Sequence, residues 1–177
     1  VYFKKVFSFY LTNTPHTIMA TTVGVLLIFK SGLAFYHFSI GTQAFRSFED
    51  CCRKISIHFH SYGSTSTVSQ ARDLILSQTN LCRHISVLFY SLIMHLRRQP
   101  VLPASARIYL YLYPEEWRTW QLSKSRPLTC LMWINCDIAR LRDKGIIADS
   151  IASMVSKEIS ELVSSYGCME RIRNTPT

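Results

Sequence analysis

Residues 15–45 read Pro15-His-Thr-Ile-Met-Ala-Thr-Thr-Val-Gly-Val-Leu-Leu-Ile-Phe-Lys30-Ser-Gly-Leu-Ala-Phe-Tyr-His-Phe-Ser-Ile-Gly-Thr-Gln-Ala-Phe45. Between Lys5 and Lys30 no residue carries a formal charge. Proline suits the first position of a helix, and Thr14 before it can cap that helix. From there to Phe38 almost every side chain is apolar, small or hydroxylated. Crossing a hydrocarbon layer takes about 20 such residues in helical form, so the stretch 15–38 predicts a transmembrane helix. Lys30 is its one formal charge. The fifteen residues from Pro15 to Phe29 rise roughly 22 Å, which brings Lys30 close to the far interface. There its ammonium can snorkel to water and escape the cost of about 2.5–3.5 kcal/mol at the bilayer centre.

The rest of the chain differs in composition. Of 20 Lys and Arg residues, against 11 Asp and Glu, only Lys4, Lys5 and Lys30 precede Arg46. A membrane region over residues 1–45 is therefore followed by a basic region over 46–177, which the positive-inside bias assigns to the cytoplasmic side or its equivalent. Residues 1–12 are aromatic and basic, like the flank of a membrane segment at the interface. A chain that starts at Val1 and stops at Thr177 reads as a fragment, with further helices expected at both ends.

Beyond Phe45 the pattern becomes amphipathic and is expected to continue the same helix, until the Ser-, Thr- and Gly-rich stretch 61–69 breaks it. Apolar residues Ala71, Leu74, Ile75, Leu81, Ile85, Leu88, Phe89, Leu92 and Leu96 then recur at three and four, the period of a helix, and Pro100 and Pro103 close it. Pro114 opens a short helix whose Glu115 and Glu116 sit where the helix dipole favours acids. Pro127 opens another, with Leu131, Ile134, Ile138 and Leu141 on one face and Gly145 as its turn. The last runs from Asp149 to Tyr166, carries Ile151, Val155, Ile159 and Leu162 on its apolar side, and is expected to end at Gly167. No stretch alternates with period two. The expected fold is all-α: a membrane-spanning helix continued into a helical bundle.

Three of these stretches together resemble the bestrophin-like anion channel family. Pro15-His-Thr-Ile, followed by Leu26-Leu-Ile-Phe-Lys-Ser-Gly-Leu-Ala-Phe-Tyr-His-Phe38, is similar to its second membrane helix, which carries Phe-Arg-Thr-Asn-x-Ala-Tyr-x-Arg-Trp-Trp. Ser125-Arg-Pro-Leu with Leu131-Met-Trp-Ile resembles the start of a later cytosolic helix. Glu170-Arg-Ile-Arg-Asn-Thr-Pro176 resembles the segment Cys-Glu-Arg-Ile-x-x-Thr-Pro that leads into the last membrane helices. The chain departs from the pattern at Lys30, where the family has Arg, at Gly32, where it has Asn, and at His37-Phe38-Ser39, where it has Arg-Trp-Trp.

The resemblance implies a subunit of an oligomeric, pentameric ring passing chloride or similar anions, surrounded by lipid and needing no cofactor. It carries the narrow hydrophobic neck of the family onto Thr21, Val25 and Phe29. Their spacing of four places them on one helix face. Neutral walls of this kind gate by dewetting, and an aromatic ring edge offers an anion partial positive charge. Lys30 and His37 fall at the inner mouth, where cations concentrate anions. A lower constriction falls near Ile146, and Glu170, Arg171, Thr175 and Pro176 form a structural turn ahead of the next membrane helix. The altered residues at 37–39 keep a second reading open, a non-conducting membrane-anchored scaffold.

Other chemistries find little support. The six cysteines contain no Cys-x-x-Cys pair and no zinc spacing, which predicts free thiols. His58 and His60 have no Cys or acid at ligand spacing. No catalytic triad, phosphate loop or nucleotide fingerprint occurs; Glu115 and Glu116, adjacent on a helix, point apart. The +9 net charge is scattered in pairs such as Arg97-Arg98, without the basic helix face that nucleic-acid binding needs.

Overall fold

The computed structural model describes residues 14–61, 67–98 and 106–175. Six helices follow in order: α1 (Thr14–Ser61), α2 (Val68–Leu96), α3 (Ala106–Tyr109), α4 (Pro114–Leu122), α5 (Arg126–Asp143) and α6 (Asp149–Asn174). Among the described residues there is no strand. Residues 1–12 and Pro176 lie outside the described residues. Two units divide the chain, one up to Ile40 and one from Gly41, and α1 contributes to both.

In the first unit α1 exposes apolar side chains on every side. Ile18, Met19, Leu26, Leu27, Ile28, Phe29, Phe35 and Phe38 are all more than half exposed. The helix is long and apolar enough to cross a membrane, and none of its most apolar window is buried by its own chain. Two of its hydroxyls bond back to the helix: Thr21 Oγ1 donates to the Thr17 carbonyl at 2.8 Å and Thr22 Oγ1 to that of Ile18 at 2.9 Å. Such back-bonding removes the donors that hydrocarbon could not satisfy.

The second unit has a conventional core, and periodicity explains it. Its part of α1 buries Ala44, Phe48, Cys51, Cys52, Ile55 and Phe59. α2 buries Leu81, Leu88 and Leu92; α5 buries Leu131, Ile134, Ile138 and Leu141; α6 buries Ala152, Val155, Ile159, Leu162 and Met169. Each set steps by three and four, the spacing that keeps one helix face inward. Each fully buried Leu, Ile or Phe contributes roughly 1.5–3 kcal/mol over an exposed one. Thr67 starts α2 in extended conformation and accepts the Gln70 N–H at 3.3 Å.

α1 and α6 run antiparallel in a fixed register. Ser165 Oγ donates to Ser47 Oγ at 3.3 Å, Cys51 Sγ donates to Glu161 Oε2 at 3.6 Å, and Lys54 Nζ donates to Glu158 Oε2 at 3.2 Å. As one number rises by a helical turn, its partner falls by a turn.

Two sequence expectations are corrected. α6 does not stop at Gly167; it continues through it to Asn174, because Tyr166 and Met169 still find buried positions on the core. Glu170 and Arg171 therefore belong to the helix, not to a turn. At the start of α2, Val68 and Ile75 are exposed while Leu74 packs against the core. The short α3, with a fully buried Ile108, has no counterpart in the sequence reading.

Candidate functional site

On α1, Thr21, Val25 and Phe29 succeed one another by one turn plus a small drift, about 40° per step at 3.6 residues per turn. All three are exposed, Phe29 at 72%. Exposure does not single them out, since neighbouring apolar side chains are equally uncovered. The same drift leads on to a shallow hollow lined by Lys30, Ser31, Leu33, Ala34 and His37. Lys30 and His37 are seven residues apart, two turns, and share this face. An ammonium and an imidazole flank a small hydroxyl and an alanine there, open to any anion or headgroup that approaches.

Ile146 lies elsewhere. α5 ends in a Schellman turn: Gly145, at φ +67°, donates to the Arg142 carbonyl at 2.8 Å, and Ile146 N–H reaches back to Leu141 at 3.0 Å. That motif folds the following apolar side chain onto the helix end, so Ile146 is 1% exposed and packed in the core. It presents no side chain to a surface of this chain.

The Glu170 segment forms a polar junction with the end of α2. Glu170 Oε1 and the Tyr166 hydroxyl each lie 3.1 Å from His95 Nε2, Ser125 Oγ lies 3.1 Å from the Tyr166 hydroxyl, and Arg173 Nη1 donates to the His95 carbonyl at 2.6 Å. That last bond satisfies one of the carbonyls which a helix end leaves open. Burial pushes the Tyr166 hydroxyl above its ordinary range. Thr175 closes α6, its hydroxyl and N–H both donating to the Arg171 carbonyl, at 2.9 and 3.0 Å. Arg171 itself is exposed.

A second polar cluster was not legible from sequence. Glu116 accepts from Arg83 and from the Tyr113 N–H at 3.0 Å, and lies 3.1 Å from His84 Nε2. The other ring nitrogen of His84 lies 3.3 Å from Asp137, which also pairs with Arg140 at 3.2 Å. Arg83 rests over the Tyr113 ring at 4.1 Å. Glu116 thus does more than meet the helix dipole. Burial alone would raise its carboxyl, but Arg83, the Tyr113 N–H and His84 together hold it below the usual carboxylate range. Glu116→Gln takes the anion from Arg83 and leaves His84, only 4% exposed, with Asp137 as its one carboxylate neighbour. Breaking a buried pair in this way is expected to cost about 3 kcal/mol. A carboxyl depressed in the folded state stabilises above its unfolded pKa, and that contribution is lost as pH falls through its folded value. Melting curves of wild type and Glu116→Gln are therefore expected to differ at neutral pH and to converge below about pH 4.

All six cysteines are free; Cys51, Cys52 and Cys130 are buried, Cys82 and Cys136 exposed. Burial pushes the Cys52 and Cys130 thiols up to about 12. His60 and His58 stand on helix α1, two residues and hence about 200° apart, which does not place them on one face.

Among the described residues the fold is thus all-helical, with one helix long and apolar enough to cross a membrane and a packed helical unit that includes the second part of that helix. The chain belongs to the bacterial and fungal bestrophin family, whose model matches residues 1–177. No curated protein is significantly similar to it. Among solved structures, a point variant of a bacterial bestrophin homologue from Klebsiella pneumoniae is 17% identical with a TM-score of 0.81, covering 96% of this chain and 59% of that one. A second variant of the Klebsiella homologue is 16% identical with a TM-score of 0.79, covering 94% and 58%. A structure described as a membrane protein is 17% identical with a TM-score of 0.81, covering 97% and 60%. The chain therefore spans about three-fifths of the length of the solved structures it matches.

Proposed function

We propose that this chain is part of a bestrophin-type channel subunit, which passes chloride or similar anions through an oligomeric ring, a homopentamer, without catalysis. In this reading residues 1–45 form the membrane region, with the span over 15–38. Residues 46–177 face the cytoplasm or its equivalent. The observation that carries it is an α1 whose apolar window is wholly unburied by its own chain, in a member of the bestrophin family. Such a surface needs lipid on one side and can meet symmetry copies on the other.

The neck is formed by Thr21, Val25 and Phe29, facing the ring axis. Because the Thr21 proton is engaged by Thr17, the neck offers an anion a methyl group and ring edges in place of a free hydroxyl donor. Lys30 and His37 supply the positive charge at the inner mouth. Glu170 ties the end of α6 to His95 of α2, and Thr175 closes the helix on the Arg171 carbonyl.

The test is electrical. The full-length protein in planar bilayers is expected to carry current whose reversal potential follows the anion gradient. A well-folded oligomer that passes none would overturn the channel reading and leave the membrane scaffold, which the changed residues His37, Phe38 and Ser39 suggest as the second reading.

A further inference from the structure

The middle rung of the α1–α6 seam has an unusual composition. Cys51 Sγ and one carboxylate oxygen each from Glu158 and Glu161 all lie within 4.8 Å of one another. Cys51 is 1% exposed; Glu158 and Glu161 stand three residues apart on α6 and face it together. Other positions on this face of α1 carry Phe48, Ile55 and Phe59, all buried and apolar. Among the described residues, Lys54, at 3.2 Å from Glu158, is the one cation paired with either carboxylate. Burial first, and then Glu158 and Glu161, push the Cys51 thiol up to about 12. A buried thiol held against two carboxylates is costly for packing alone, and one bound cation would relieve all three groups.

We propose that Cys51, Glu158 and Glu161 form a site for a thiophilic divalent cation of the zinc type, with water as the fourth ligand. The donor set decides the class. One sulfur and two carboxylates suit zinc, at bond lengths of about 2.3 Å to sulfur and about 2.0–2.2 Å to oxygen, whereas calcium and magnesium take oxygen alone. Donors at those bond lengths stand roughly 3.5 Å apart around a tetrahedron, so side-chain rotation closes the site without moving either helix. On binding, the S–H bond breaks, a sulfur–metal bond forms and the proton leaves to solvent, with no change of oxidation state. Lys54 competes with the metal for Glu158, since its ammonium lies 3.4 and 3.2 Å from the two carboxylate oxygens. The site bridges residues 110 apart in sequence, which is why no local spacing announced it.

Cadmium is the probe, because its thiolate complexes absorb in the near ultraviolet. Titrated into the full-length protein in detergent, it is expected to raise a charge-transfer band that Cys82→Ser retains and Cys51→Ser loses by one ion per chain. Glu161→Gln keeps the thiol and is expected to weaken binding at least about tenfold, while Lys54→Met tightens it. Should Cys51→Ser melt early, Glu161→Gln, at a partly exposed position, carries the test by itself. Equal cadmium uptake by wild type and Cys51→Ser, or unchanged affinity in Glu161→Gln, overturns the site.

Discussion

Bilayers holding the Phe29→Ala variant are expected to pass several-fold larger anion currents and to discriminate less among anions than wild type. Phe29 is the largest of the three proposed neck residues and is 72% exposed within its own chain, so its ring has no packing role there to lose. Truncation removes the ring from every subunit of a symmetric ring at once. The narrowest ring of wall atoms widens, water enters more readily, and the dewetting barrier falls. The ring edges that meet an anion go with it, which is why selectivity weakens as current rises. Single-channel recordings under matched anion gradients make the comparison. Currents identical to wild type would place the neck on another face of α1.

Trp120→Ala is expected to destabilise the second unit by about 4 kcal/mol, the usual range for deleting a buried aromatic side chain. Trp120 is fully buried and its Nε1–H donates to Ser91 Oγ at 2.8 Å. The Trp117 ring stacks on it at 5.3 Å, and the Arg126 guanidinium lies 5.1 Å from its centre. α4 has nine residues, too few to hold helical form without tertiary contacts. Loss of this anchor therefore also loosens Glu116 from Arg83 and His84. Trp120→Phe keeps most of the apolar surface and loses the hydrogen bond, so it should fall between alanine and wild type. Chemical denaturation of the purified variants in detergent gives the order; equal midpoints for Trp120→Ala and wild type would show that α4 is held by something else.

The helices were legible because their signals are local. Apolar spacing gave the faces of α5 and α6 as they are found, with Leu131, Ile134, Ile138, Leu141, Val155, Ile159 and Leu162 all buried. Gly145 behaves as its turn requires. Gly167 misled because glycine ends a helix only where the chain has no further core to cover, and here Tyr166 and Met169 still have one. Ile75 shares the periodic pattern and is still exposed, since periodicity identifies an apolar face without saying that anything covers it. Ile146 could be placed by motif counting but not by surroundings, since its burial depends on a turn closing over Leu141. The clusters around Glu116 and Cys51 were out of reach altogether. Their members come from helices far apart in sequence, and each one alone looks like an ordinary surface acid, a core thiol or a dipole partner.

The register of α1 against α6 limits how the two helices can move. Sliding one past the other by a single turn in one direction would set Ile55 against Glu161; in the other direction, Lys54 would leave Glu158 to face Met154. Either displaced pairing strands a carboxylate beside an apolar or mismatched neighbour, which is penalised in a partly buried seam. A ratchet-like step between these helices is closed to them. Tilting, or movement of the two helices as one body, keeps opposite residues opposite, and those are the motions this seam leaves available.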